Sequence, residues 1–200
     1  MSSVIDLRTY VGASKNSRLL VMIDLQQKNY DELAKDRASD LARSLENCMS
    51  AIQHARNLGL PIAFTRQGDN PGLIERSAQS AWISGLEPKR SDMVFERPQP
   101  SCYTNQLFED VVSRIGNFVI AGLIAEETCL ATAIDAAHRG HHVTFLSDAS
   151  VSRGRRDADA RSVHLVATRA MELFADIATT RHWLVATSPR SLKGQRHGRV

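Results

Sequence analysis

Short, continuously apolar runs alternate along this chain with longer segments whose apolar residues recur at helical spacing. Residues 18–24 (RLLVMID) are apolar almost throughout and end in a carboxylate, the pattern of a strand buried on both faces. From 38 to 58, Leu41, Leu45, Cys48, Ile52 and Ala55 fall on one helical face; Gly59 stops that helix and Pro61 opens a second strand, 61–65 (PIAFT). A short third strand is predicted at 93–95. Residues 105–115 set Leu107, Phe108, Val111, Val112 and Ile115 on one face and stop at Gly116, after which 117–121 (NFVIA) reads as a fourth strand. A small-residue helix, 126–139, ends at Gly140, and 142–146 (HVTFL) is a fifth strand. A third long amphipathic helix, 160–174, precedes a sixth strand at 176–180.

Regular alternation of strand and helix predicts a parallel sheet covered on both faces. Right-handed crossovers then restrict the topology to a doubly wound, three-layer α/β/α sandwich with a six-stranded, mostly parallel sheet. In such sheets ligands bind beyond the carboxyl ends of the strands, so the chemistry is sought there.

Composition fits this picture. At 200 residues, 42% hydrophobic and 24% charged, the chain suits one domain with a closed core. The formal charge of +3 owes much to Arg190, Lys193, Arg196 and Arg199, which have no acidic neighbours and read as a solvated end. The expected organisation is an N-terminal extension (1–17), a single domain (18–186) and a basic, flexible tail (187–200). No run approaches the ~20 apolar residues of a membrane span, and the N-terminus lacks an apolar signal core. Cys48, Cys102 and Cys129 are odd in number and without metal-ligand spacing, which fits a reducing cytoplasm rather than a disulfide framework. No nucleic-acid or membrane partner is expected.

Three segments carry candidate chemistry. Asp24 closes the first strand, followed by Leu25 and Gln26; a carboxylate there meets a partly desolvated cleft that tunes it for acid or base work, although alone it reads better as a helix cap or a solvated loop acid. In 97–104 (RPQPSCYT), Pro98 and Pro100 stiffen the chain after the third strand, so Arg97 faces the same cleft and pairs with Asp24 or a substrate carboxylate; the alternative is a surface arginine. In 121–136 (AGLIAEETCLATAIDA) a strand turns within a few residues into a helix whose first turn holds Thr128 and Cys129. Helix N-termini stabilise anions and nucleophiles, while a free cysteine is most often a small buried hydrophobe.

Together and in this order, these segments resemble the isochorismatase-like hydrolase superfamily, also called cysteine hydrolases. The resemblance rests on Asp24-Leu25-Gln26, on Ser101-Cys102-Tyr103 with Asn105-Gln106-Leu107, on Gly122-Leu123 leading into Thr132-Ala133-Ile134-Asp135-Ala136, and on Gly140 and Ser147-Asp148-Ala149. It implies an isochorismatase-like (Rossmann-like) fold and an Asp–Lys–Cys triad. Here Asp24 fits the first place, Arg97 stands for the lysine, and the nucleophile position falls to Thr128, which the register favours, or to Cys129 one place later. True isochorismatases also lack a cysteine at that position and cleave a vinyl ether by protonating it with the aspartate. The resemblance further implies a non-proline cis peptide between Leu123 and Ile124, an oxyanion role for Ile124, and a homodimer or homotetramer. Gln26, Trp82 and Tyr103 are further substrate-site candidates, with 67–92 as the loop that shapes specificity. The metal ligands of the family's metal-binding branch are missing, with no histidine in 64–70 (FTRQGDN), so neither a catalytic metal nor a cofactor is expected.

Two functions stay open: a hydrolase of a small carboxylate, amide or vinyl ether, and a catalytically degenerate binding or assembly module. A dinucleotide-binding protein is disfavoured, because no G-x-G-x-x-G follows the first strand.

Overall fold

In the computed structural model, which describes residues 19–35, 40–68 and 81–188, the first apolar run lies at the centre of the sheet. It is β1 (Leu19–Ile23), all five residues buried. The chain continues through α1 (Gln27–Lys35), α2 (Leu41–Asn57), β2 (Ile62–Gln67), β3 (Met93–Arg97), a 3-10 turn (Cys102–Thr104), α3 (Gln106–Ile115) and β4 (Asn117–Leu123). A π-helical turn (Ala125–Cys129) opens α4 (Leu130–His138), and β5 (His142–Val151), α5 (Ala160–Met171), β6 (Asp176–Ala178) and α6 (Thr180–Thr187) follow.

All six strands pair in parallel, in the order β3-β2-β1-β4-β5-β6. Order reverses beside β1, which makes the edge between β1 and β4 the switch point of the doubly wound sheet. Alternate residues of β1 feed two cores. Leu19, Val21 and Ile23 join Phe108, Val112, Phe118 and Ala133 on one face. Leu20 and Met22 join Cys48, Ile52, Phe64 and Trp183 on the other. Cap chemistry sets the helix ends: Asn105 accepts a hydrogen bond from the Phe108 amide (3.1 Å), and Gly116 closes α3 in the left-handed region.

Gly122 has no substitute where β4 meets β1. Its φ is +131°, and a Cβ there would lie 2.0 Å from the carbonyl oxygen of Ile23. The absent side chain lets the two strand ends close together just where Asp24 leaves β1.

Several expectations need correction. The fifth strand does not stop at 146: β5 runs to Val151, through a register shift against β4. The polar stretch Ser147-Asp148 hid this, because it reads as loop. In the fold the Asp148 carboxylate accepts from the Thr180 amide (2.6 Å) and hydroxyl (2.8 Å), capping a helix that the sequence reading missed. The short polar helix α1 was missed too. Among the described residues no peptide bond is cis; the Leu123–Ile124 bond is trans, and the chain reverses instead through Ile124 at φ 62°, ψ 65°. None of the described helices is long and apolar enough to cross a membrane. The extension 1–17, residues 69–80 of the specificity loop, and 189–200 of the basic tail lie outside the described residues.

Candidate active site

Asp24 leaves β1 in the left-handed region (φ 54°), which a short polar side chain tolerates better than most. Its amide donates to the Thr65 carbonyl of β2 (3.0 Å), and its own carbonyl accepts from the buried Asn29 side chain (3.0 Å) and the Gln26 amide (2.6 Å). The backbone is thus held from both sides, and the carboxyl group is fixed over the strand ends.

Arg97 is the last residue of β3 and reaches past β2 to meet it. The guanidinium is buried; it donates to the Asp24 carboxylate, to the Thr128 hydroxyl (2.8 Å) and to the Gln99 carbonyl (2.8 Å). Gln99 lies between the two prolines, so the stiff segment both follows and anchors the arginine. Thr128 sits in the π-helical turn after β4 and donates to the same Asp24 oxygen (2.9 Å). Three strands separate in sequence therefore deliver one closed triangle of hydrogen bonds. π-Turns of this kind re-aim side chains within helices and recur at functional sites.

Burial pushes the Asp24 carboxyl above the usual carboxylate range; Arg97 and the Thr128 hydrogen bond pull the other way without offsetting it. Its Oδ1 has no hydrogen-bond partner within the protein. The group is therefore suited to hold a proton on one oxygen while the other is tied to Arg97 and Thr128.

Above the triangle lies a cavity of about 190 Å³, walled also by Lys28 and Asn29 of α1, Gln67, Ile124 and Arg153. Of the two residues considered for the nucleophile position, Thr128 lines this cavity and Cys129 does not. Cys129 is wholly buried in the core with Cys102 and Ala133, and burial, reinforced by the nearby Asp24, drives its thiol well above the ordinary range. Adjacent helical residues point in directions roughly 100° apart, so one residue of register separates cleft from core. Ile124, expected at the oxyanion position next to a cis bond, lines the cavity but follows a trans bond.

The other three candidates lie elsewhere. Gln26 accepts from the Gln67 amide (3.3 Å) and ties β2 to the loop after β1. Trp82 packs edge-on against Phe64, with Arg66 over its ring. Tyr103 hydrogen-bonds His141 (2.7 Å) beneath Arg139, on the α3 side of the sheet. The sequence reading missed Lys28, Asn29 and Arg153. The first two had no predicted helix to carry them, and Arg153 lies just beyond a strand end that had been set five residues too early. Among the described residues no cluster of histidine, cysteine, aspartate or glutamate could hold a metal ion.

The family model for the isochorismatase domain matches residues 18–182, most of the chain. The protein belongs to the isochorismatase family. Solved structures agree with the fold. An isochorismatase from Pseudomonas putida superposes with a TM-score of 0.74 at 22% identity, covering 90% of this chain and 99% of that one. A cysteine hydrolase from Pseudomonas syringae gives 0.77 at 16% identity, covering 91% and 95%. A ribonuclease from Caenorhabditis elegans gives 0.63 at 19% identity, covering 92% and 90%. At these identities the likeness establishes the isochorismatase fold and nothing finer. No curated protein matches the chain.

Proposed function

We propose that this isochorismatase-family chain is a cofactor-free hydrolase of a small carboxylate, amide or vinyl-ether substrate, working by proton transfer at Asp24 without a thiol nucleophile. The observation that carries the reading is the buried triangle of Asp24, Arg97 and Thr128, with Cys129 turned away into the core.

The chemistry follows from the charges. A buried carboxyl whose pKa is raised by burial is suited to act as a general acid. With a vinyl ether, the Asp24 O–H bond breaks as its proton passes to the terminal alkene carbon, and the ether carbon becomes an oxocarbenium ion. Water adds to that carbon and loses a proton to the Asp24 carboxylate. The resulting hemiketal collapses to a ketone and an alcohol, and the acid is regenerated. Arg97 stays charged throughout, so it steadies the carboxylate formed in the first step but relays no proton. Thr128 is a positioning residue: its hydroxyl fixes the carboxyl rotamer and bridges to Arg97.

A second reading, a non-catalytic binding module, is favoured by one feature. An arginine pinned to the acid cannot take the proton-relay role of a lysine in the family triad.

The experiment that separates them is turnover of a panel containing isochorismate, simple amides and aromatic carboxylates. Hydrolysis that Asp24→Asn abolishes, and that prior treatment with iodoacetamide leaves intact, supports the acid mechanism. Hydrolysis that survives Asp24→Asn refutes it, and binding without turnover of any compound hands the site to the second reading.

A further inference from the structure

Arg97 lines the cavity but is largely committed within the protein, its Nε being left without a partner. Its guanidinium is buried and commits its donors to Asp24, Thr128 and the Gln99 carbonyl. The cavity offers a substrate carboxylate two further cations, of which Arg153 is shared with Glu32 and Lys28 is not ion-paired among the described residues. Lys28 and Arg153 line it together with Asp24. We propose that Lys28 and Arg153 form the subsite for the substrate's carboxylate group, and that the substrate is a small monocarboxylate with a polar remainder.

This rests on the reading of Asp24 as the reacting acid, and the geometry around it is specific. Arg153 follows β5 and donates to the Asn29 side-chain oxygen (3.1 Å), while Asn29 donates to the Asp24 carbonyl (3.0 Å). Asn29 is buried, so it sets the distance between Arg153 and the acid. The Arg153 amide is held in turn by the Glu126 carboxylate (3.1 Å), which fixes the loop after β5 to the turn that carries Thr128. Lys28 and Glu32 stand one turn apart on the same face of α1. Glu32 pairs with Arg153 (2.7 Å), whereas Lys28 makes no ion pair among the described residues.

The charges around the cavity decide how many carboxylates fit. Lys28, Arg97 and Arg153 face Asp24, Glu32 and Glu127. With a proton on Asp24, one positive charge is in excess, which one carboxylate neutralises. A second would add to the negative charge of Glu32 and Glu127, which also line the cavity. The volume of about 190 Å³ sets the size: it lies below that of drug-sized pockets and holds only a small molecule.

The test is a binding titration by NMR with lactate and its neutral isostere lactamide. The wild-type protein should bind lactate at least about tenfold more tightly than lactamide, since a hydrogen bond to a charged group carries that much. Lys28→Met should weaken lactate about tenfold or more and leave lactamide unchanged. Lys28 lies half-buried on a helix surface, so this variant folds. Arg153→Met should weaken lactate as well, with Arg153→Lys restoring part of the loss. Asp24→Asn should keep lactate binding, which separates this subsite from the acid. Equal affinity for lactate and lactamide, or unchanged lactate affinity in Lys28→Met, overturns the proposal. Either result leaves the role of Asp24 to be judged by turnover alone.

Discussion

Replacing Arg97 with methionine removes one half of a buried ion pair and keeps the volume roughly filled. Both partners are almost inaccessible, at 2% and 4% exposure, so water cannot replace the lost contacts. Breaking a buried pair by removing one partner costs about 3–5 kcal/mol, because the remaining charge is stranded. For a chain of this size that is a fall in Tm of about 6–20 °C. The stranded group is a carboxyl, however, and can escape by taking up a proton. In the wild type its pKa already lies above the ordinary value of 3.8, with burial the cause and Arg97 the main opposing influence. Without Arg97 it rises further. A folded-state pKa raised above the unfolded one gives stability that is present below the unfolded value and is lost as pH rises through the folded value. The variant loses more than the wild type over the interval between their two folded values. The deficit of Arg97→Met should therefore grow with pH, by about 1.4 kcal/mol per pH unit across that interval. Urea unfolding followed by circular dichroism, at mildly acidic and mildly alkaline pH, measures it. The double variant Asp24→Asn, Arg97→Met should recover most of the alkaline loss. A deficit under about 1 kcal/mol at alkaline pH, or one independent of pH, refutes the reasoning.

Two further predictions follow from the same geometry. Gly122→Ala drives a methyl group to within 2.0 Å of the Ile23 carbonyl oxygen at φ +131°, so overpacking and backbone strain combine to about 4 kcal/mol or more; thermal unfolding within 1 kcal/mol of wild type would contradict this. In the folded protein Cys48, Cys102 and Cys129 should all resist an aromatic disulfide reagent and react only after denaturation; rapid reaction of Cys129 would place its thiol in the cleft after all.

How far the sequence reached can be followed through particular residues. The apolar runs that became β1, β2 and β4 were legible because strands buried on both faces leave no polar interruption. Asp24 and Arg97 were legible because strand ends in a parallel sheet face one edge. Thr128 was separated from Cys129 by register alone, and the fold puts one in the cleft and the other in the core. What escaped notice was polar structure. α1 is short and mostly polar, and its only signal is Tyr30, Leu33 and Ala34 at helical spacing. The middle of β5 carries Ser147 and Asp148, whose partners, Ala178 at the end of β6 and Thr180 on α6, come from about 30 residues further along the chain and leave no local trace. Both omissions removed the same wall of the cavity, and with it Lys28, Asn29 and Arg153. The reversal at Ile124 was misjudged for a related reason. A trans chain can turn through a positive φ where neighbours hold it, and a sequence reading has no view of those neighbours.

The acid mechanism requires that burial leave Asp24 with a proton to give. A carbon-13 NMR titration of the Asp24 side-chain carboxyl, assigned with Asp24→Asn, measures this without any substrate. The expected midpoint lies clearly above 3.8 in the wild type and moves higher in Arg97→Met. A wild-type midpoint at or below 3.8 would mean that Arg97 outweighs burial. Asp24 would then be a permanent anion, and the acid mechanism would fail.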